Sequence, residues 1–149
     1  MNGITVDKIS KNDAPCVAKI EKECFSVPFT ESDILGYMEN PIWHFLVARQ
    51  VEGVLGYISF TVILDECQIV NVAVDPSARK MGVGSLLIET FLNYVKDLGV
   101  TSVFLEVRES NVPAIGLYNK FGFSKTGVSK NHYSKPTENA ILMSLQFQF

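Results

Sequence analysis

The chain has 149 residues, of which 47% are hydrophobic and 19% are charged, and its formal net charge is −3. This length indicates a single domain, residues 1–149, with a sizeable core, and the hydrophobic fraction excludes an intrinsically disordered chain. The acidic balance also argues against a protein that covers nucleic-acid phosphates with lysine and arginine, so no direct nucleic-acid partner is expected.

Targeting signals are weak along the whole sequence. Residues Met1–Ser10 contain no basic region followed by an apolar core, which predicts that there is no secretory signal. The longest apolar stretch, Val54–Leu64, is interrupted by polar residues and is much shorter than the roughly 20 residues that span a bilayer. Cys16, Cys24 and Cys67 form no CxxC pair, which favours packed thiols in a reducing compartment. A cytoplasmic protein without a membrane partner is therefore predicted.

The N-terminal part of the chain predicts one strand and two helices. Alternating apolar residues predict a strand over Gly3–Ile9. A helix follows, with Asp13 as its cap and Pro15 in its first turn. A second, short helix begins after Thr30, whose spacing to an acidic residue resembles a capping box, and it ends near Glu39.

Three strands are predicted next, joined by short links that imply antiparallel neighbours. Glu52-Gly53 forms the first turn and Asp65-Glu66 the second. The predicted strands cover Trp43–Gln50, Val54–Leu64 and Gln68–Val74.

From Gly84 onward the apolar period changes to that of a helix, which Gly99 ends as a left-handed cap. Its apolar stripe consists of Leu87, Phe91, Val95 and Leu98. A strand around 103–108, a helix capped by Asn111 and ended by Gly122, and two strands complete the chain. Those last strands are predicted over Phe123–Asn131 and Asn139–Phe149. This order predicts an α/β fold: a mixed, mostly antiparallel sheet of about seven strands, with helices on both faces and one right-handed parallel crossover.

A loop between the third of these strands and the long helix is the strongest candidate for a ligand site. Gly82 and Gly84 allow a ligand to approach the backbone closely, and the first N–H groups of the helix have no internal partners. Such a helix N-terminus, with Arg79 and Lys80 beside it, is suited to a pyrophosphate. No lysine follows Gly84, so the loop is not a P-loop. The predicted phosphate-binding residues are Arg79, Lys80, Met81, Gly82, Val83, Gly84 and Ser85.

The segment Arg79–Gly84 fits the pattern Gln or Arg, any two residues, Gly, any residue, then Gly or Ala. On this motif, and on the element order, the chain resembles the GCN5-related N-acetyltransferases. The resemblance implies that acetyl-CoA is the co-substrate. It also implies that Val72, Ala73 and Val74 present backbone groups to the pantetheine arm, with a backbone N–H directed at the thioester oxygen.

A narrower resemblance is to the bacterial RimI subfamily, which acetylates the N-terminal alanine of a small-subunit ribosomal protein. The segments that carry it are Glu23–Thr30, Leu105–Asn111, Ala114–Phe123 and Asn131–Tyr133. The resemblance implies that an acceptor protein N-terminus is the partner and that Phe29 and Tyr133 contact the acceptor. The oligomeric state stays open, with a monomer sufficient for this chemistry.

Phe29 stands where that subfamily usually has tryptophan, and His132 where it usually has tyrosine. Two alternatives stay open, and these departures motivate the first of them. One is the same chemistry on another amine, such as a protein lysine, a polyamine or a small molecule. The other is a non-catalytic module that binds acyl-CoA.

The candidate catalytic residues are Glu106 as general base and Tyr118 as general acid. By residue type alone, Glu106 could equally be a solvent-facing strand residue and Tyr118 a core aromatic, and the resemblance assigns their roles. Asn111 can cap a helix and can also bind the pantetheine or the acyl carbonyl. Only two histidines occur and HExxH is absent, so no metal site is expected.

Overall fold

A computed structural model describes residues 3–148 of the chain. Within these residues it shows seven strands, four α-helices and two short 3₁₀ turns, at Lys11–Asp13 and Pro76–Ala78. The elements in chain order are β1 (Thr5–Lys8), α1 (Ala14–Cys24), α2 (Glu31–Met38), β2 (Trp43–Gln50), β3 (Gly53–Ile63), β4 (Glu66–Val74), α3 (Val83–Asp97), β5 (Ser102–Arg108), α4 (Val112–Lys120), β6 (Ser124–Tyr133) and β7 (Glu138–Gln146).

One sheet contains all seven strands, in the order β1-β2-β3-β4-β5-β7-β6. Every neighbouring pair is antiparallel except β4 and β5, which run parallel and are joined through α3. The predicted mixed sheet with one parallel crossover is confirmed. Phe149, at the end of the last predicted strand, lies outside the described residues.

The helices pack on opposite faces of the sheet. On β2, Leu46 and Ala48 belong to the core under α3 and α4, whereas Phe45 and Val47 belong to the core under α1 and α2. The alternation of side chains along a strand explains this division. In α3, Leu87, Phe91 and Val95 are fully buried as predicted, but Leu98 is 45% exposed because the helix ends at Asp97. No helix within residues 3–148 is both long enough and apolar enough to cross a membrane.

Most predicted helix ends are confirmed. The Thr30 hydroxyl accepts from the Asp33 N–H at 3.1 Å while the Asp33 carboxylate accepts from the Thr30 N–H, which completes a capping box. Gly99 ends α3 with φ +86°. Asp13, predicted to cap α1, does not do so with its side chain, because its carboxylate instead accepts from Arg49 Nη1 at 2.7 Å and from the Ser10 N–H.

The turn between β3 and β4 is shifted by one residue from the prediction. It consists of Leu64 and Asp65, and Leu64 has a φ of +56°. Glu66 is already in β4. The Asp65 carbonyl accepts from the Thr101 N–H at 2.8 Å, so this turn is fixed to the start of β5.

Two irregularities of β4 open the centre of the sheet. The register against β3 shifts so that Asn71 faces Ser59 and Ile69 faces Phe60, which leaves Val70 as a bulge. On its other side, β4 pairs with β5 only from Glu66 to Gln68, although both strands continue. The C-terminal halves of two adjacent parallel strands thus separate, and the gap between them lies at the level of Glu106.

Candidate active site

The predicted phosphate loop lies between the end of β4 and the start of α3. The Asp75 carboxylate accepts from the backbone N–H and the hydroxyl of Ser77, at 2.9 and 2.8 Å, which fixes the start of the loop. Lys80 and Gly82 have φ values of +68° and +78°, and these left-handed positions turn the backbone into α3. The unpaired N–H groups of a 15-residue helix therefore open toward this loop.

A groove of about 280 Å³ runs along this loop. Gly84 lies at its floor, where an added Cβ would be 3.3 Å from the Leu117 side chain of α4. The residues that line the groove include every predicted phosphate-binding residue except Met81. Val72 and Ala73, which were predicted to contact the pantetheine arm, lie just upstream in β4. The groove is lined by Val74, Ala78, Arg79, Lys80, Gly82, Val83, Gly84, Ser85, Pro113 and Leu117.

The chain of contacts from Arg79 to β4 passes through a cysteine. Arg79 Nη2 lies 3.6 Å from Cys24 Sγ, and the Cys24 thiol lies 3.5 Å from the Val74 carbonyl oxygen, to which it donates. Burial raises the pKa of the Cys24 thiol, and Arg79 opposes this shift. Cys24 thus acts as a neutral contact that ties the end of α1 to the phosphate loop. Cys67 is buried within β4, and burial raises the pKa of this thiol to about 12, as a packed thiol requires.

Glu106 lies on β5 beyond the last pair that β5 makes with β4. Val103, Leu105 and Val107 are buried on the opposite face of the strand, as the alternation predicted. The Glu106 side chain is 41% exposed, and one of its carboxylate oxygens, Oε2, is 3.5 Å from His132 Nε2. A group entering the gap between β4 and β5 can therefore reach this carboxylate.

Tyr133 lies close enough to interact electrostatically with both Tyr118 and Glu106. Tyr118 is only 6% exposed and packs edge-on against Phe123, and burial, with a smaller effect of Tyr133, raises the pKa of its phenol above the usual value. Burial raises the pKa of Tyr133 to about 12; Glu106 and Glu138 add to this shift and Arg108 opposes it. Both phenols are protonated at neutral pH and can donate.

Arg108 joins the two segments predicted to recognise an acceptor. Its guanidinium carbon lies 4.5 Å from the centroid of the Tyr133 ring. The same guanidinium donates to oxygens of the α1–α2 loop and of residues 134–138: Ser26 Oγ at 3.5 Å, Ser134 O at 3.0 Å, Pro136 O at 3.0 Å and Glu138 Oε1 at 3.2 Å. No local sequence pattern predicts this role, since the contacts span up to 82 residues.

Glu21 holds the backbone of Phe29, the other residue predicted to contact the acceptor. The Glu21 side chain is fully buried, and its two oxygens accept from the Phe29 N–H at 2.8 Å and from Asn71 Nδ2 at 2.9 Å. Burial raises the pKa of this carboxyl, and the two hydrogen bonds oppose the shift. The Phe29 ring packs edge-on against Tyr37 and Trp43. Sequence reasoning missed Glu21, because a glutamate on an amphipathic helix usually faces solvent.

Asn111 caps α4, as predicted, by accepting from the Ala114 N–H at 3.2 Å. This contact uses the carbonyl oxygen of its amide.

Residues 3–148 contain no group of three or more His, Cys, Asp or Glu side chains that could hold a metal ion.

The glycine-containing loop between β4 and the start of α3 is the feature on which the chain resembles an acetyltransferase family, and comparison with known proteins agrees. Residues 14–123 match the model of the acetyltransferase (GNAT) family. The chain belongs to this family, whose acetyl donor is acetyl-CoA.

Relatives with assigned activities narrow the comparison. The chain is 32% identical over 146 residues to the ribosomal protein bS18-alanine N-acetyltransferase of Escherichia coli K12, covering 95% of this chain and 96% of the relative. The crystal structure of the ribosomal-protein-S18-alanine N-acetyltransferase from Escherichia coli matches with a TM-score of 0.89 at 28% identity, covering 98% of this chain and 95% of that one. The crystal structure of Ard1 from Thermoplasma volcanium has the same TM-score at 33% identity, covering 99% of both chains.

Proposed function

We propose that this protein transfers the acetyl group of acetyl-CoA to the N-terminal α-amine of a small-subunit ribosomal protein that begins with alanine. The observation that carries the proposal is the position of Glu106. Its carboxylate is accessible from the gap between β4 and β5, with Tyr133 and the Arg108-linked segments nearby. Similarity to bS18-alanine N-acetyltransferases over nearly the whole chain supports the choice of acceptor.

The groove at the start of α3 fits the phosphates of acetyl-CoA, which supplies the activated acetyl thioester. Its helix N–H groups and the Arg79 and Lys80 side chains provide the donors and positive charge that pyrophosphate requires. A side chain at Gly84 would narrow this groove. Upstream, the edge of Val72–Val74 that does not pair with β5 offers backbone groups to an extended arm that carries amides, in the manner of an added strand. Asn111 lies at the adjacent start of α4 and is a further candidate for contact with that arm.

Glu106 and Tyr118 carry out the two proton transfers of the reaction. An α-amine has a pKa of about 7.7–8.0, so near neutral pH it arrives mostly as the ammonium and must lose a proton before it can attack. Glu106 takes this proton, either directly or through one water. Tyr118 is protonated and buried, and it supplies a proton to the departing thiolate. The amine attacks directly, with donor and acceptor bound together, and no acyl-enzyme is needed.

Residues 24–39 and 131–138 select the acceptor. Phe29 and Tyr133 present aromatic surface there, and both are held by buried or multiply bonded partners, Glu21 and Arg108. We propose a cytoplasmic location, which the proposed ribosomal acceptor and the free thiols Cys16, Cys24 and Cys67 support.

The second candidate is acetylation of another amine by the same machinery. The presence of His132 beside Glu106, where the resembled subfamily usually has tyrosine, favours testing it. A non-catalytic acyl-CoA module is less well supported, because both proton-handling side chains, Glu106 and Tyr118, are present.

The test incubates the full chain with acetyl-CoA and a peptide that carries the N-terminal residues of bS18. Intact-mass and fragment analysis are expected to show one acetyl group on the α-amine of alanine. Two controls are the same peptide with a blocked N-terminus and the Glu106→Gln variant, and both should gain little or nothing. Acetylation of a lysine or of a polyamine in preference to the α-amine would replace the proposed acceptor by the second candidate.

A further inference from the structure

His132 stands at the end of β6, and its imidazole makes contacts through both ring nitrogens. Nε2 is 3.5 Å from Glu106 Oε2, and Nδ1 is 3.3 Å from the Ser129 hydroxyl oxygen. The ring also packs edge-on against Tyr133, with centroids 4.8 Å apart. Three contacts therefore hold the imidazole beside the carboxylate to which base chemistry is assigned.

The Ser129 contact is compatible with the tautomer that proton transfer from Glu106 requires. When Nδ1 carries the proton and donates to the Ser129 oxygen, Nε2 is left with a lone pair that faces Glu106. In this state a protonated Glu106 can donate to Nε2. The His132 side chain is 34% exposed, so water reaches the ring from outside.

From this geometry we infer that His132 is a proton-relay residue, which receives from Glu106 the proton that Glu106 has taken from the acceptor ammonium and delivers it to solvent. This inference rests on the proposed function. The ammonium N–H bond breaks as an O–H bond forms on Glu106. That O–H bond then breaks as an N–H bond forms at His132 Nε2, and the imidazolium passes one proton to water. Glu106 and His132 return to their starting states, and one proton has left the site.

A relay gives the proton on Glu106 a defined route to solvent through His132. Each turnover delivers a proton to Glu106, and the carboxylate must lose it before the next acceptor binds. Of the charged groups around this pair, Arg108 lies over the Tyr133 ring and is already paired with Glu138. Arginine holds its proton permanently and cannot take another. His132 is the neighbour of Glu106 that can both accept and release one.

The experiment measures kcat and KM for the bS18 N-terminal peptide in the His132→Ala, His132→Gln and His132→Tyr variants. All three are expected to lower kcat about 10-fold, at or below the lower end of the effect of one acid–base group, with the acetyl-CoA KM unchanged. Tyrosine fills the same space but cannot accept a proton at neutral pH, so it should not restore kcat. Added imidazole should restore the kcat of His132→Ala in proportion to its concentration and should not affect His132→Tyr.

His44, the other histidine of the chain, provides the matched control. It lies on β2, stacks on Phe60 and contacts the Tyr94 hydroxyl, away from the candidate site. The His44→Gln variant should keep its kcat, and imidazole should not increase it.

Three results are distinguishable. If the unmodified chain acetylates no N-terminal peptide, the proposed function fails. If it does so and the His132 variants keep their kcat, the relay is overturned while the function stands. If kcat falls in the His132 variants but imidazole does not restore His132→Ala, His132 acts only through packing and the relay is likewise overturned.

Discussion

The guanidinium of Arg108 lies over the ring of Tyr133, with 4.5 Å between its carbon and the ring centroid. This contact joins the end of β5, which carries Glu106, to the end of β6. Because the same guanidinium also bonds Ser26 and Glu138, a single side chain holds together the two segments that are proposed to select the acceptor.

Replacing Arg108 by lysine should therefore affect acceptor binding more than donor binding. An ammonium lacks the planar fork that reaches several oxygens at once, so the segments around Ser26 and Pro136 lose their common anchor. We expect the acceptor-peptide KM to rise about 10-fold, equivalent to about 1.4 kcal/mol, with the acetyl-CoA KM almost unchanged. Arg49→Lys is the control, since Arg49 bridges Asp7 and Asp13 at the other edge of the sheet. Equal changes in both KM values for Arg108→Lys would contradict this role.

Tyr118→Phe tests the general acid. The variant keeps the ring that packs against Phe123 but removes the proton donor, so kcat should fall about 10²-fold while acetyl-CoA binding is retained. Steady-state kinetics and calorimetric titration with acetyl-CoA measure the two quantities separately. An unchanged kcat would remove Tyr118 from the mechanism.

Gly56 is a close-approach position on β3 that faces Val74. A Cβ there would lie 2.8 Å from the Ala73 carbonyl oxygen and 3.2 Å from Val83. Gly56→Ala should lower the free energy of unfolding by about 1–3 kcal/mol, because backbone atoms must move to relieve the overlap. The matched variant is Gly116→Ala in α4, where a Cβ meets nothing within 4 Å, and it should stabilise the helix by up to about 1 kcal/mol. Urea unfolding of both variants checks the prediction, and similar midpoints would refute it.

Asp13 should make stability depend on pH in the acidic range. Its hydrogen bond from Arg49, assisted by those from Ser10, lowers the pKa of this carboxyl below the usual value. A folded-state pKa below the unfolded-state pKa gives a stabilisation that is present above the ordinary carboxyl range and is lost as the pH falls through the lowered value.

Asp13→Asn should accordingly cost about 1.5–3 kcal/mol near neutral pH, and the difference from the unmodified chain should shrink below about pH 4. Urea unfolding at several pH values measures it. Asp7→Asn, which removes the exposed partner of the same arginine, should cost less than about 1 kcal/mol. A difference that stays constant down to the acid transition would show that Asp13 does not contribute through its charge.

The sequence predicted those features that depend on neighbours close along the chain. The Thr30 capping box, the Asn111 cap and the turn at Gly99 follow from residues within three or four positions, and their patterns were sufficient. The phosphate loop could also be predicted from the sequence, because the end of a strand, two glycines and the start of a helix are adjacent in the chain.

The contacts that organise the acceptor side could not be predicted in this way. Arg108 reaches Ser26 across 82 residues and Glu21 reaches Asn71 across 50, and no local pattern marks either pair. The bulge at Val70 could not be predicted for a related reason, since an extra residue in a strand can be recognised only by comparison with the partner strand. The Thr30 and Asn111 caps follow local rules, whereas the failed Asp13 cap and these long-range partners depend on the completed fold.

The parting of β4 and β5 after Gln68 also has a thermodynamic consequence. A sheet interrupted at its centre lacks hydrogen bonds that a continuous sheet would have, so an extended molecule bound in the interruption adds to the cohesion of the fold itself. Such a molecule raises the free energy of unfolding by RT ln(1 + [L]/Kd), about 2.7 kcal/mol at a concentration of roughly 100 Kd. Thermal unfolding should therefore give a higher melting temperature with CoA than without it, because CoA would fill the gap that the polypeptide leaves between β4 and β5.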